Sequence, residues 1–299
     1  MTGVLVMAYG TPHSLAELEA FYTHIRSGRR PAPGQLAALR RRYEAIGYTV
    51  EGGRRPLLDI SLAQAEALEE RLGPEFKVRL GMRHWQPYIH EALHDMAQAG
   101  IRRAVAMSLT PQFSSLSVGA YIEAANEAAG PIALRHVRSW HLQPAYVEAM
   151  AERVRTAQQG WNPDMVVFTA HSLPRRTVEE GDPYVFQLQQ TANAVAGQLE
   201  LSRWVLSFQS VGQGDGASLG TWLGPDILET LDRLAADGAE RVLLAPIGFI
   251  ADHLEILYDL DVQARQHADS LGIELRRTES LNTEPKLIEA LAAAVLEGD

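Results

Sequence analysis

Short runs of Val, Leu, Ala and Met alternate along this chain with longer stretches in which apolar residues recur every three or four positions. The short runs are Gly3–Ala8, Lys77–Gly81 and Ala104–Leu109 in the first half, and Met165–Thr169, Trp204–Ser207 and Val242–Ala245 in the second. They predict buried strands, the stretches between them predict helices, and the alternation is that of parallel βα units. Ser14 and Glu17 read as a capping box ahead of the helical spacing Leu15, Leu18, Phe21, Tyr22 and Ile25. Pro225 reads as the first turn of a helix that stops near Gly238.

The two halves echo each other. The first strand of each runs into Ala-x-x-x-Pro, at Ala8–Pro12 and again at Ala170–Pro174. Gly100 and Arg103 before the third strand of one half answer Gly238 and Arg241 in the other. The expected architecture is α/β: two Rossmann-like domains whose parallel sheets face a central cleft. The first domain is expected at 1–142 and the second at 143–280, with the switch near Trp140–Tyr146. A C-terminal helix at 281–299 is expected to pack back on the first domain.

Composition narrows the class. The 299 residues include 27 Lys and Arg against 37 Asp and Glu, a formal charge of −10, which disfavours a nucleic-acid partner. With 46% hydrophobic and 21% charged residues the chain is globular. It has no cysteine, so it offers no thiolate nucleophile, disulfide or Cys-ligated metal, and no iron–sulfur cluster of its own. The apolar run at Gly3–Ala8 is too short for a signal peptide, and no stretch reaches the roughly 20 apolar residues of a membrane span. The expectation is a cytoplasmic monomer with no transmembrane segment.

In such sheets ligands bind beyond the carboxyl ends of the strands. This rule selects Tyr9–Pro12, Met82–Trp85, Pro111–Ser117, His171–Pro174, Gln209–Gly216 and Pro246–Glu255. His171 stands at a strand end, where a neutral imidazole can accept a proton or ligate a metal. Asp252 reads as the N-cap of a helix carrying Glu255, with Asp259 and Asp261 beyond; an acidic stripe beside a histidine suits a divalent cation. Capping and the helix dipole account for Asp252 and Glu255 equally well, but not for the two deeper aspartates. The segment Arg26–Arg42 holds six arginines and no acid, and Pro31, Pro33 and Gly34 predict a loop there, suited to carboxylate or phosphate capture. Gly212-x-Gly214-x-x-Ala217 matches a dinucleotide fingerprint only on paper, since the next helix begins near Pro225. Tyr9, Trp85, Phe113, Tyr121 and Trp222 supply aromatic walls. Together these features ask for a flat ligand, anionic at its rim and connected with a metal.

The sequence resembles the ferrochelatase family along essentially its whole length. The resemblance is carried by AYGTP at Ala8–Pro12, YTHIRSGRRP at Tyr22–Pro31, RRYEAIG at Arg41–Gly47 and GMRHWQPYI at Gly81–Ile89. It continues through PQFSSLSVGAY at Pro111–Tyr121, AHSLP at Ala170–Pro174, WLGPD at Trp222–Asp226 and PIGFIADHLEILYDLD at Pro246–Asp261. YTHIRSGR and YEAIG are most similar to the coproporphyrin branch.

The resemblance implies two chelatase-type domains and insertion of ferrous iron into a porphyrin with release of two protons, in haem biosynthesis. Iron is then a substrate, coproporphyrin III the second, and no tightly bound cofactor is expected. By the resemblance His171 and Glu255 form the metal-centre pair and Tyr9 faces the metal from the opposite wall. Arg26, Arg42, Tyr43 and Tyr121 hold the porphyrin, and Asp259 and Asp252 continue the acidic path. The family's GG-x-SPL turn is replaced here by the longer Gly47–Leu57 segment, in which Arg55 stands in for a propionate-binding serine. Arg83 stands where relatives of this branch often have Lys. Protoporphyrin IX as substrate, a cobalt-inserting enzyme of the same fold, and a tetrapyrrole or haem carrier without chemistry are the alternatives.

Overall fold

The computed structural model describes residues 1–211 and 221–297. The first half runs β1 (Thr2–Ala8), α1 (Leu18–Ile25), α2 (Pro33–Ala45), a small hairpin of β2 (Tyr48–Thr49) and β3 (Gly52–Gly53), and α3 (Pro56–Leu72). It continues with β4 (Phe76–Met82), α4 (Ile89–Gln98), β5 (Arg103–Ser108), α5 (Ala120–Ala128) and β6 (Ala133–Val137). The second half runs α6 (Pro144–Gln158), β7 (Met165–His171), α7 (Arg175–Glu179), α8 (Tyr184–Gln198), β8 (Trp204–Gln209) and α9 (Ile227–Ala236). It ends with β9 (Arg241–Pro246), α10 (Leu254–Leu257), α11 (Arg265–Leu271), β10 (Glu274–Arg277) and α12 (Pro285–Leu296). Two π-helical turns, Ser115–Gly119 before α5 and Asp259–Ala264 after α10, complete the path.

The strands form two parallel four-stranded sheets, β4-β1-β5-β6 and β10-β9-β7-β8. Counted within each half, both orders are 2-1-3-4, so the echo between Ala8–Pro12 and Ala170–Pro174 corresponds to equivalent strands of a repeated topology. In each sheet the winding reverses beside the first strand, which places the ligand crevices beyond β1/β5 and beyond β7/β9. The inner sheet faces share one continuous core that includes Val4, Val6, Tyr146, Phe168 and Leu243. α12 adds Leu287, Leu291 and Val295 to this core and lies against both α3 and α6.

Every run read as a strand coincides with one: five are extended by a residue or two, and Ala104–Leu109 is shifted by one residue to Arg103–Ser108. The strands β6 and β10 carry no such run: as half-exposed edge strands they contain Arg and His where a central strand would be apolar.

Several local expectations are corrected. α1 begins at Leu18, after Glu17, and no side chain caps it. The Glu17 carboxylate instead accepts from the His13 amide (2.9 Å) and the Trp85 indole (2.8 Å). α9 begins at Ile227, two residues later than a helix opened by Pro225, because Asp226 is its N-cap and accepts from the Glu229 amide at 2.9 Å. The loop expected between Arg26 and Arg42 stops at Ala32: Pro33 opens α2, a position where its missing N–H costs nothing, so Arg40, Arg41 and Arg42 are helical. The Gly212–Ala217 pattern lies outside the described residues.

A polar seam joins the halves. Gln112, after β5, donates to Thr191 and to the Ile247 carbonyl, both at 3.1 Å. The Tyr146 hydroxyl donates to the same carbonyl at 2.6 Å. Asp182, ahead of α8, accepts from the amide (2.6 Å) and hydroxyl (2.8 Å) of Ser115 and from the Ser114 hydroxyl (3.2 Å). The loops at the carboxyl ends of the two sheets are thereby fixed relative to each other.

Candidate active site

His171 is the last residue of β7. Its Nδ1–H donates to the Ser172 carbonyl, which fixes the tautomer and turns Nε2 toward Glu255 Oε1 at 3.4 Å. The Tyr184 hydroxyl holds the His171 carbonyl at 3.1 Å. Glu255 sits in α10, the single turn after β9, and Gln209 at the end of β8 donates to its backbone carbonyl at 2.7 Å. Three neighbouring strands of one sheet thus fix this pair.

A second imidazole completes the group. His253 Nε2 lies 3.6 Å from Glu255 Oε2, while its Nδ1 donates to the Ala251 carbonyl at 2.9 Å. One carboxylate is therefore bracketed by two histidines, each with its other nitrogen tied to backbone. His253 carries no role expected from sequence, although it stands two residues from Glu255 in the same motif. Phe249 packs on both rings, at 4.5 Å from His253 and 6.5 Å from His171.

The charges follow from this geometry. Burial opposes the protonated form of His171, but the Glu255 carboxylate, the Ser172 carbonyl and the Asp259 charge outweigh it and push its pKa up to about 9. Burial likewise opposes ionised Glu255, and the two histidines overcome it and hold the carboxyl well below the usual range. At neutral pH the pair rests as imidazolium and carboxylate, not with the neutral imidazole expected from sequence. His171, raised above its ordinary 6.5, adds stability that is complete below that value and is lost as pH climbs through about 9. Glu255, depressed, adds stability above its ordinary value that is lost as pH falls through its folded one. A proton NMR titration should place the His171 midpoint near 9. In Glu255→Gln the midpoint should drop into or below the ordinary imidazole range; a midpoint left near 9 would show that Glu255 is not the controlling charge.

The other acids are engaged differently from expectation. Asp252 is not the N-cap: His253 takes that position, and the Asp252 carboxylate accepts from Ser280 (2.7 Å) and Asn282 (3.2 Å), with Arg277 at 3.7 Å. Asp261 is clamped by Arg277 through two bonds of 2.7 and 2.8 Å. Asp259 is buried and paired with Arg42 from α2, and Ser210 donates to its second oxygen. Burial still lifts the Asp259 pKa above its ordinary value, with Glu255 adding to the rise. The three aspartates are therefore neutralised by arginines, and among the described residues no group of three His, Asp or Glu side chains, the His171–Glu255–His253 group included, is spaced to enclose a metal ion.

Opposite this group, Tyr9 follows β1 and is 44% exposed. Its ring packs on His84 at 4.6 Å. The partial desolvation of its phenol by the surrounding protein and the Glu255 charge push its pKa up. Gly10 makes this wall possible. It sits at φ +108°, and a Cβ there would stand 2.8 Å from the Trp85 amide nitrogen. The backbone turn after β1 can then lie on the next loop, with the Arg83 amide donating to Ala8 (3.0 Å) and the His84 amide to Tyr9 (2.9 Å). Beyond His84 opens a cavity of about 1090 Å³ between α1 and α5, whose lining includes Ile25, Arg30, Arg83 and Ala120. A tetrapyrrole-sized ligand needs a space of this order.

The remaining expected residues divide. Arg26 lies at the end of α1, beside the cavity-lining Ile25, with its guanidinium over the Tyr22 ring and Nε donating to the Arg29 carbonyl at 3.3 Å. Arg42 spends its guanidinium on Asp259 and on the Tyr258 ring rather than on the cavity. Tyr43 is buried against Tyr48, whose hydroxyl meets Thr11 at 2.8 Å, so it belongs to the packed base beneath the loops. Tyr121 is buried in the outer core of the first sheet. Arg55 forms an exposed pair with Asp59 at 3.0 Å, one turn along α3, and among the described residues nothing ties it to the His171–Glu255 pair.

A family model for ferrochelatase matches residues 1–298. The chain is similar to the coproporphyrin III ferrochelatase of Anoxybacillus flavithermus, 40% identical over 98% of this chain and 95% of the relative. It is also similar to the ferrochelatase of Deinococcus radiodurans, 41% identical over 98% of this chain and 94% of the relative. The coproporphyrin III ferrochelatase of Bacillus subtilis is 38% identical over 99% and 97%. Among solved structures, SirB from Bacillus subtilis with Fe3+ superposes with a TM-score of 0.61 over 99% of this chain and 95% of that one, at 12% identity, a likeness of fold.

Proposed function

The chain belongs to the ferrochelatase family, whose members insert iron into porphyrin, and from that premise we propose that its porphyrin is coproporphyrin III and that His171 and Glu255 are its metal-centre pair. The observation that carries the reading is a carboxylate held between two imidazoles at the carboxyl end of one sheet, with Tyr9 on the wall fixed by the other.

Metallation of a free-base porphyrin is slow because the ring is flat and two N–H groups occupy its centre. A cleft that binds a bent ring better than a flat one lowers the barrier. The seam through Gln112 and Asp182 keeps the walls stiff enough to impose that bend. Glu255, an anion at rest, is the group to which ferrous iron is drawn. A dication beside it displaces the His171 proton, because metal binding and protonation compete for the same imidazole. The displaced proton leaves to solvent, and once the iron has passed to the porphyrin nitrogens the freed Nε2 lone pair of His171 can accept a pyrrolic proton. Asp259, with its raised pKa, is the next acceptor outward, and Arg42 keeps it from becoming a sink for the metal. Asp252 lies off this route, committed to Ser280, Asn282 and Arg277.

Four carboxylates distinguish coproporphyrin III from protoporphyrin IX, which has two. The relatives named for coproporphyrin III and those named simply ferrochelatase match this chain equally well, so the arginines support the choice. Arg30 and Arg83 line the cavity, and Arg26 and Arg29 are chain neighbours of its lining residues Ile25 and Gly28, so this arginine-rich end of α1 can meet the extra carboxylates. Anaerobic mixing with ferrous iron and either porphyrin, followed by absorbance, tests the substrate. In Arg26→Ala, KM for coproporphyrin III should rise about 10-fold, the loss of one charge-assisted contact, and KM for protoporphyrin IX by less than about threefold. Equal rises would remove the electrostatic argument. No helix among the described residues is long and apolar enough to cross a membrane.

A further inference from the structure

We propose that His24 and His84 form a docking site for a divalent transition-metal ion at the rim of the cavity, on the Tyr9 side and separate from the His171–Glu255 pair. The two Nδ1 atoms face each other at 3.4 Å, with the rings 5.5 Å apart and steeply inclined. That separation is the bite two imidazole nitrogens present to one tetrahedral ion when each lies about 2.0–2.1 Å from it. With no metal present, a shared proton occupies the gap, one ring donating and the other accepting. An incoming ion replaces that proton, and both rings then carry their hydrogen on Nε2.

Both ligands are held before the ion arrives. His24 is in the last turn of α1, which ends through Ser27 and Gly28 at positive φ. The Tyr88 ring packs against it at 5.8 Å. His84 is fixed through its amide to Tyr9 and through the ring contact at 4.6 Å. Burial, the Arg83 charge and His24 pull its pKa down to about 4, so its imidazole remains neutral and available at physiological pH. Both rings line the cavity, together with Glu19, Glu123 and Glu127; Arg30 and Arg83 line it too, three carboxylates against two guanidinium groups. Among the described residues no third ligating side chain joins the pair, so water fills the other positions. Such a site holds an ion loosely and gives it up, as a station on the way to the macrocycle requires. Only that purpose rests on the iron-inserting reading; metal binding does not.

The test uses the full chain without porphyrin. Substoichiometric Ni2+ should broaden the His24 and His84 imidazole NMR signals while His90 and His267 remain sharp. Zinc titration calorimetry should give one more site in the starting protein than in His24→Ala or His24→Asn, and the surviving site should be lost in Glu255→Gln instead. His24 is exposed, so its variants should keep the starting protein's circular dichroism and thermal midpoint. Sharp His24 and His84 signals at saturating Ni2+, or an unchanged zinc stoichiometry in both His24 variants, would overturn the site even if iron insertion is confirmed. Metal binding at the two histidines in a protein that inserts no iron would leave the site standing and remove its stated purpose.

Discussion

Glu255→Gln is expected to bind coproporphyrin III within about threefold of the starting affinity and to lose iron insertion by about 10²- to 10⁴-fold, the range set by removing a positioned acid–base group. The substitution is nearly isosteric, so His171, His253 and the turn of α10 keep their places. What disappears is the negative charge held between the two imidazoles. Without it nothing draws a dication to the centre, and burial becomes the dominant influence on His171, whose pKa falls. His171→Ala should cost a similar factor through a different loss, since the carboxylate remains but no lone pair receives the pyrrolic proton. Because the two residues act as one unit, the double variant should be little worse than either single one. Porphyrin binding is read from quenching of its fluorescence, and insertion from anaerobic absorbance changes. A glutamine variant that turns over within threefold of the starting enzyme would place the chemistry elsewhere.

The parts of this site legible in the sequence are those whose position depends on the backbone alone. His171 and Tyr9 follow apolar runs that had to be central parallel strands, and strand order then places both at crevices. Glu255 follows the third strand of its half by the same logic. Side-chain pairing across the chain was not legible. Arg42 and Asp259 are 217 positions apart, and nothing in either neighbourhood announces the partner. The six arginines of Arg26–Arg42 looked like one binding belt, yet Pro33 starts a helix within it and divides them: Arg30 lines the cavity, while Arg42 turns to the acidic stripe. Tyr43 and Tyr121 carry hydroxyls but are packed as core, because their helices present that face to neighbouring aromatics and to the sheet. The edge strands β6 and β10 were missed because an exposed strand carries no apolar run to reveal it.

Arg42→Ala is expected to destabilise the protein by about 2–4 kcal/mol at neutral pH, the cost of leaving a buried carboxylate without its cation. The Asp259 side chain is only 6% exposed, whereas that of Arg42 is 31% exposed, so water can reach the guanidinium and the lower part of the range is expected. The sign of the pH dependence follows from Asp259. Its pKa is already raised in the folded protein, and removing Arg42 raises it further. An acid with a raised folded pKa binds its proton more readily folded than unfolded, so the deficit should shrink as pH falls and be largest at and above neutrality. Adding Asp259→Asn removes the stranded charge, and the double variant should recover most of the lost stability. Urea unfolding across a pH series measures all three. The same variants separate the two roles available to Arg42. If it serves Asp259, the double variant also recovers KM for coproporphyrin III. If it holds a propionate instead, KM stays high in the double variant however stable that protein becomes, and Arg42 must leave Asp259 when substrate binds.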